Sequence, residues 1–168
     1  NAYAFYLKGE LYALKQENEN AMKCYVSSLR INNKNKNCYI SIAKMLEAEG
    51  KKVFVGGNIG KPLLPEIENI TSQDFVVVEL SSFQLISMRK SPDVAVVTNV
   101  APNHLDVHKS MDEYVEAKKN VILHQNAFSR TVLNKDNDIT NGFKPFVRGQ
   151  SLSFSMETPL KNGAWLSN

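Results

Sequence analysis

The chain has 168 residues, of which 43% are hydrophobic and 22% charged, and its formal net charge is +3. This composition excludes an intrinsically disordered protein, and no apolar run approaches the roughly 20 residues that a membrane-spanning helix needs. The basic residues are scattered, so we expect neither a nucleic-acid nor a membrane partner. Cys24 and Cys38 lack metal-ligand spacing and fit a reducing, cytoplasmic location. The first residue, Asn1, is not a methionine, which predicts an internal piece of a longer protein.

The first 49 residues contain no proline and show apolar side chains at helical spacing. This spacing predicts one helix over about residues 2–15 and a second over about residues 19–31. The polar tract 32–37 predicts a loop that caps the N-terminus of a third helix. Gly50 follows that helix at the position where glycine favours helix termination.

After Gly50 the pattern changes to short apolar runs rich in β-branched residues, which is typical of strands buried in a parallel sheet. The predicted strands are Val53–Val55, Phe75–Val78, Val94–Val97 and Thr131–Leu133. A helix is predicted from Met111 to about Gln125, and the tail from Phe146 to Leu166 is interpreted as an antiparallel hairpin. The alternation predicts an α/β fold with a mostly parallel sheet flanked by helices.

Residues 3–34 resemble a tetratricopeptide repeat. Gly9 and Ala21 are the small residues that let two helices approach, while Tyr12 and Tyr25 fill the groove between them. The resemblance implies a helical hairpin domain over residues 1–34 with a possible protein partner. The alternative is an ordinary amphipathic hairpin without that role.

Glu79 and His104 each follow a predicted strand, where a parallel sheet presents its ligand-binding edge. Taken singly, Glu79 is a solvated strand-end carboxylate and His104 a loop histidine. Taken together, at the ends of neighbouring strands, they favour a divalent-cation site, and Mg²⁺ prefers oxygen ligands. Lys118 lies beside Lys119 on a predicted helix, and the composition of this stretch favours a solvated lysine.

From residue 42 onward the chain carries four motifs in order. They are Gly56-Gly57-Asn58-Ile59-Gly60, Glu79-Leu80-Ser81-Ser82-Phe83-Gln84-Leu85, Thr98-Asn99-Val100 with Asn103-His104-Leu105-Asp106, and Tyr114-Val115-Glu116-Ala117-Lys118. This set resembles the central domain of the Mur ligase family, in the branch that adds D-glutamate. We therefore expect a ligase central domain over residues 35–168.

The resemblance implies an ATP-dependent, Mg²⁺-requiring ligase of peptidoglycan synthesis. Such an enzyme joins D-glutamate to UDP-N-acetylmuramoyl-L-alanine through an acyl phosphate. In this branch the lysine that matches Lys118 carries a carbamate, so Glu79, His104 and carbamylated Lys118 are the expected catalytic and metal-binding residues.

The resemblance also implies substrate contacts from Asn58, Ser81 and Gln84. Two of these residues have a simpler structural alternative or complement: Asn58 fits a glycine-flanked turn, and Ser81 fits the N-cap of a short helix. Asp106 and His108 are nearby polar residues to which the sequence assigns no role.

One expected feature of the family is missing. The segment 31–37, before the third helix, holds no glycine and no Lys-Thr or Lys-Ser pair, so it cannot supply a phosphate-binding loop. We therefore expect no ATP binding and little ligase activity from this chain alone. The strand that precedes this loop in the family lies inside the sheet, so its replacement should leave Val76 and Val96 short of a backbone partner. The alternative function is an interaction module joined to a non-catalytic ligase remnant.

Overall fold

The computed structural model describes residues 1–32, 35–58, 61–102, 108, 110–161 and 163–165. The helices are α1 (Ala2–Leu14), α2 (Asn18–Ile31), α3 (Lys36–Ala48), α4 (Ser82–Ile86), α5 (Met111–Leu123) and α6 (Asp138–Asn141), with 3₁₀ helices at Leu64–Asn69 and Lys144–Phe146. The strands are β1 (Val53–Gly57), β2 (Phe75–Glu79), β3 (Val94–Val97), β4 (Arg130–Asn134), β5 (Gln150–Ser155) and β6 (Gly163–Trp165). The chain divides into two compact units, Asn1–Leu80 and Ser81–Asn168. None of the described helices combines the length with the hydrophobicity that a membrane-spanning segment requires.

The predicted helical hairpin is confirmed as α1 and α2, and α3 packs with it. Gly9 is buried, and a Cβ atom on it would lie only 2.5 Å from Cε1 of Tyr25. The missing side chain therefore lets the Tyr25 ring sit directly on α1. Tyr25 is buried in a common core with Ala21, Leu29 and Cys38. The tetratricopeptide assignment and the predicted boundary after residue 34 stay predictions.

A carboxylate links the three helices. Oε1 of Glu10 on α1 accepts hydrogen bonds from the Tyr25 hydroxyl on α2, at 2.6 Å, and from the Ser41 hydroxyl on α3, at 2.7 Å. Burial alone would raise the pKa of Glu10, but the bonds from Tyr25 and Ser41 and the charge of Lys44 lower its pKa below the usual value. Burial raises the pKa of the Tyr25 hydroxyl, and its hydrogen bond to Glu10 raises that pKa further. The helices are thus held by a charge-assisted network as well as by apolar contact.

Parallel strands confirm the predicted α/β class. In the first unit β1 pairs with β2, so that Gly57 lies opposite Glu79. In the second unit β3, β4, β5 and β6 form a parallel sheet in that order. The core of the second unit is apolar and includes Val97, Tyr114 and Leu133.

The prediction of an antiparallel hairpin in the tail from Phe146 to Leu166 is wrong. β5 pairs in parallel with both β4 and β6. Gly149 permits a close backbone approach, because a Cβ there would lie 2.0 Å from the Ser129 carbonyl oxygen. The crossover from β4 to β5 contains α6 and a 3₁₀ helix, which gives the length that a parallel connection needs.

The prediction of incompletely paired strands is confirmed. Among the described residues β2 pairs only with β1, and β3 pairs only with β4. Val76 on β2 is 43% exposed, and Val96 on β3 is 57% exposed. Each unit therefore presents an apolar strand with one open edge.

Candidate substrate and cation site

The first part of the site is the glycine turn that follows β1. Gly57 has φ +112°, and a Cβ atom on it would lie 2.2 Å from the Glu79 carbonyl oxygen. The Asn58 amide then donates a 2.8 Å hydrogen bond to that same oxygen. Only glycine fits this conformation and spacing, so the turn places Asn58 beside the carboxyl end of β2.

The Glu79 carboxylate has one oxygen whose surroundings suit a cation. Its Oε2 atom is buried and has no hydrogen-bond partner among the described residues. A buried carboxylate oxygen without a partner is costly, and native proteins rarely leave one. A cation would supply the missing interaction, so Glu79 fits the expected Mg²⁺ ligand. Among the described residues, no group of three or more histidine, cysteine or acidic side chains is placed to hold a metal ion, either around Glu79 or in another part of the chain.

Ser81 and Gln84 form a capping box at the start of α4. The backbone N–H of Gln84 donates a 3.3 Å hydrogen bond to the Ser81 hydroxyl, and the backbone N–H of Ser81 donates a 2.9 Å hydrogen bond to the side-chain Oε1 of Gln84. The predicted N-cap is therefore confirmed, while the predicted substrate contacts stay predictions. The Gln84 NH₂ group makes no hydrogen bond to the described residues, so its donors face solvent and any ligand there.

Lys118 lies on α5, and its Nζ is 5.8 Å from the centroid of the Tyr114 ring. Burial raises the pKa of Tyr114. The neighbouring Lys119 pairs with Glu116 and lies 4.4 Å from the centroid of Phe146. The two adjacent lysines thus have different surroundings, and Lys118 is half-buried rather than fully solvated.

The predicted cluster of Glu79, His104 and Lys118 stays a prediction. His104 and Asp106 lie outside the described residues. Glu79 and Lys118 belong to different compact units, each of which is described here by itself.

His108 is a buried residue for which no role was predicted from the sequence. It is 3% exposed, and its Nε2 lies 2.9 Å from the Ser82 hydroxyl. Its ring stacks on Phe83 and meets Tyr114 edge-on. Its position close to the Asn103–Asp106 motif is the only signal that pointed to it.

The described residues on either side of the position expected for a phosphate loop belong to helices or their caps. Within the described residues 1–32 there are two helices and no strand, and α2 continues to Ile31. Asn35 is the N-cap residue of α3. The described residues before α3 therefore include neither the strand nor the glycine-rich turn whose backbone amides bind phosphate oxygens in a phosphate loop.

Comparison with known proteins agrees with the motifs. Residues 39–166 match the model of the Mur ligase middle domain. The chain is 58% identical over 127 residues to the UDP-N-acetylmuramoylalanine–D-glutamate ligase of Acetivibrio thermocellus, covering 76% of this chain and 27% of the relative. The corresponding ligase of Clostridium beijerinckii is 53% identical over 127 residues, with 76% and 28% covered.

Among solved structures, a crystal structure of MurF from Acinetobacter baumannii matches 80% of this chain and 35% of its own, with a TM-score of 0.40 and 13% identity. The chain spans about a quarter of the length of the curated relatives named above. Its assignment comes from the family model, which covers most of the chain and includes every motif listed for the site. The chain therefore belongs to the Mur ligase middle domain family.

Proposed function

We propose that this chain is the central-domain part of a cytoplasmic ligase that joins D-glutamate to UDP-N-acetylmuramoyl-L-alanine at the expense of ATP. The observation that carries the proposal is the buried, unpartnered Oε2 of Glu79 at the carboxyl end of β2. It is supported by the names of relatives that share more than half of their residues with this chain over the matched segment.

The proposed cation ligands are Glu79, His104 and Lys118 as a carbamate. A bound Mg²⁺ ion would supply charge that reduces repulsion between the substrate carboxylate and phosphate oxygens. Glu79 is suited to this role because its carboxylate is already dehydrated on one oxygen. Carbamylation would turn the Lys118 cation into a second anionic oxygen donor.

The proposed substrate contacts are Asn58, Ser81 and Gln84. The capping box fixes Gln84 Oε1 toward the Ser81 amide, so the NH₂ group of the same side chain points away as a donor. A donor held in place before binding loses less side-chain entropy when it meets an anionic diphosphate.

The sequence before α3 has no glycine-rich loop with a Lys-Thr or Lys-Ser pair to hold the phosphates of ATP. We propose that the chain retains part of the acid-substrate and cation site and does not turn over ATP by itself.

Titration calorimetry with UDP-N-acetylmuramoyl-L-alanine tests the substrate part. The Gln84→Glu variant keeps the acceptor of the capping box but replaces the NH₂ donor by negative charge. We expect binding by the unaltered chain and affinity at least about tenfold weaker in this variant, because a hydrogen bond to a charged group is worth about 1.5–3 kcal/mol. The matched control is Gln73→Glu at an exposed turn of the first unit. Absence of binding by the unaltered chain, or equal affinity in both variants, would contradict the proposal.

Titration with Mg²⁺ tests the cation part. Glu79→Gln should abolish the Mg²⁺ heat, whereas the exposed Glu66→Gln should leave it unchanged. Equal heats in the two variants would show that Glu79 is not a ligand.

A second candidate function is a protein-interaction module. It is favoured by the exposed apolar side chains of α1, where Leu7 is 44%, Leu11 61% and Leu14 82% exposed. Screening of a peptide array tests it: a peptide bound by the unaltered chain should be lost from Leu11→Ser and kept by Lys15→Ser. Binding of the muramoyl substrate without any bound peptide would favour the ligase.

A further inference from the structure

His108 contacts two helices that each carry proposed site residues. Its Nε2 lies 2.9 Å from the Ser82 hydroxyl, and Ser82 is the first residue of α4. Its ring stacks on Phe83, with the centroids 5.2 Å apart and the planes 10° apart. On the other side it meets the Tyr114 ring of α5 edge-on, at 5.2 Å and 66°.

These contacts matter because α4 is short. A five-residue helix does not hold its shape without outside contacts, since a single turn is unfavourable to nucleate. Side chains from outside the helix bond to both of its ends. Asn120 donates to the Leu85 carbonyl at 2.9 Å near the C-terminal end, and His108 holds the N-terminal end through Ser82.

The N-terminal end of α4 is also where the Ser81–Gln84 capping box lies. Ser82 is 2% exposed, so its hydroxyl would lose its partner in a dry environment if the His108 ring were removed. On α5, Tyr114 is one turn before Lys118 and contacts both His108 and the Lys118 ammonium. The His108 ring therefore connects the start of α4, which carries Gln84, to α5, which carries Lys118.

We infer that His108 is a positioning residue that sets the place of the Ser81–Gln84 pair relative to α5. It acts through Ser82, Phe83 and Tyr114 and does not itself need to touch substrate. Its effect on substrate affinity rests on the proposed function, whereas its effect on α4 does not.

Amide hydrogen exchange measured residue by residue tests the effect on α4. His108→Phe keeps an aromatic ring but removes the bond to Ser82. We expect the amides of Leu85 and Met88 to exchange on the order of fivefold faster, corresponding to the roughly 1 kcal/mol of one hydrogen bond. The amides of β4 should change little.

Two further variants and a matched control complete this experiment. Ser82→Ala removes the same bond from the other side and should reproduce the pattern, even if His108→Phe folds poorly. His108→Gln can still bond to Ser82 and should partly restore slow exchange. His124→Phe, at an exposed histidine of the same unit, should leave α4 unchanged. Unchanged exchange in α4, or an equal increase in α4 and β4, would overturn the inference.

Titration with the substrate measures binding affinity, which should not change on substitution of a residue with a purely structural role. His108→Phe should weaken UDP-N-acetylmuramoyl-L-alanine binding at least threefold, with His108→Gln closer to the unaltered chain and His124→Phe equal to it. If the unaltered chain does not bind this ligand, the proposed function fails while the exchange pattern still decides the role of His108. If it binds and His108→Phe binds equally well, the positioning role is overturned.

Discussion

The hydroxyl of Tyr25 on α2 donates a 2.6 Å hydrogen bond to the carboxylate of Glu10 on α1. This bond offsets part of the free energy that is lost when the Glu10 charge is half-buried. Ser41 on α3 bonds to the same oxygen. The stability of the helical part of the chain therefore depends on the ionised form of Glu10.

Glu10→Gln should destabilise the chain by about 1 kcal/mol at neutral pH, because a charge-assisted bond becomes a neutral one. The Glu10 pKa is lowered in the folded protein, so its contribution is present above the ordinary carboxyl pKa and is lost as pH falls through the folded pKa. Urea unfolding at several pH values should show a difference between the two proteins that shrinks in acid. Glu19→Gln, at an exposed site on α2, should show a far smaller difference at neutral pH.

Gly57→Ala should destabilise the first unit by about 1–3 kcal/mol, because the added Cβ would meet the Glu79 carbonyl oxygen and the backbone there has φ +112°. Thermal unfolding measures the loss. Gly142→Ala is the control, since φ is negative there and the nearest atoms lie 3.2 Å from its added Cβ. Equal losses in the two variants would contradict the close approach of β1 and β2 at the site.

Millimolar MgATP should not raise the melting temperature, because the chain offers no phosphate loop before α3. A ligand at 100 times its Kd would add about 2.7 kcal/mol, which such a melt detects readily. A saturable rise with ATP would show that another part of the chain binds the nucleotide.

The chain should self-associate through its open strand edges. Val96 is 57% exposed on β3, so Val96→Lys should lower the association seen by sedimentation velocity. Phe128→Lys removes an even more exposed side chain, 94% exposed, from a turn that is not a strand edge, and should have little effect. A monodisperse monomer of the unaltered chain would contradict the prediction.

Labelled bicarbonate tests the proposed carbamate. With ¹³C-bicarbonate and Mg²⁺ present, the carbon NMR spectrum should show a carbamate signal that is lost in Lys118→Arg and kept in Lys119→Arg. The two lysines are adjacent, which makes the comparison closely matched. A signal that depends on Lys119 would reverse the assignment.

Periodicity in the sequence predicted the helices, and short apolar runs predicted the strands. The prediction that these strands are buried is wrong for β2 and β3, because among the described residues each pairs on one side only and exposes residues such as Val76 and Val96. These patterns did not predict how β5 pairs, since Gly149 reads equally as a turn residue or as a place where two backbones touch. The capping role of Ser81 could be predicted because it depends only on residues three positions apart. The role of His108 could not, because its partners are separated from it by up to 26 positions and meet only after folding.

The sharing of Glu10 by three helices has a practical consequence for anyone who shortens this protein. The stretch that matches the family begins at residue 39, inside α3, and its Ser41 bonds to Glu10 on α1. Expression beginning at that residue would cut α3 within its first turn, remove the buried Cys38 and leave Ser41 and Ala43, which are now buried, facing water. A useful short version should keep α1 and α2, even though the family relationship does not extend to them.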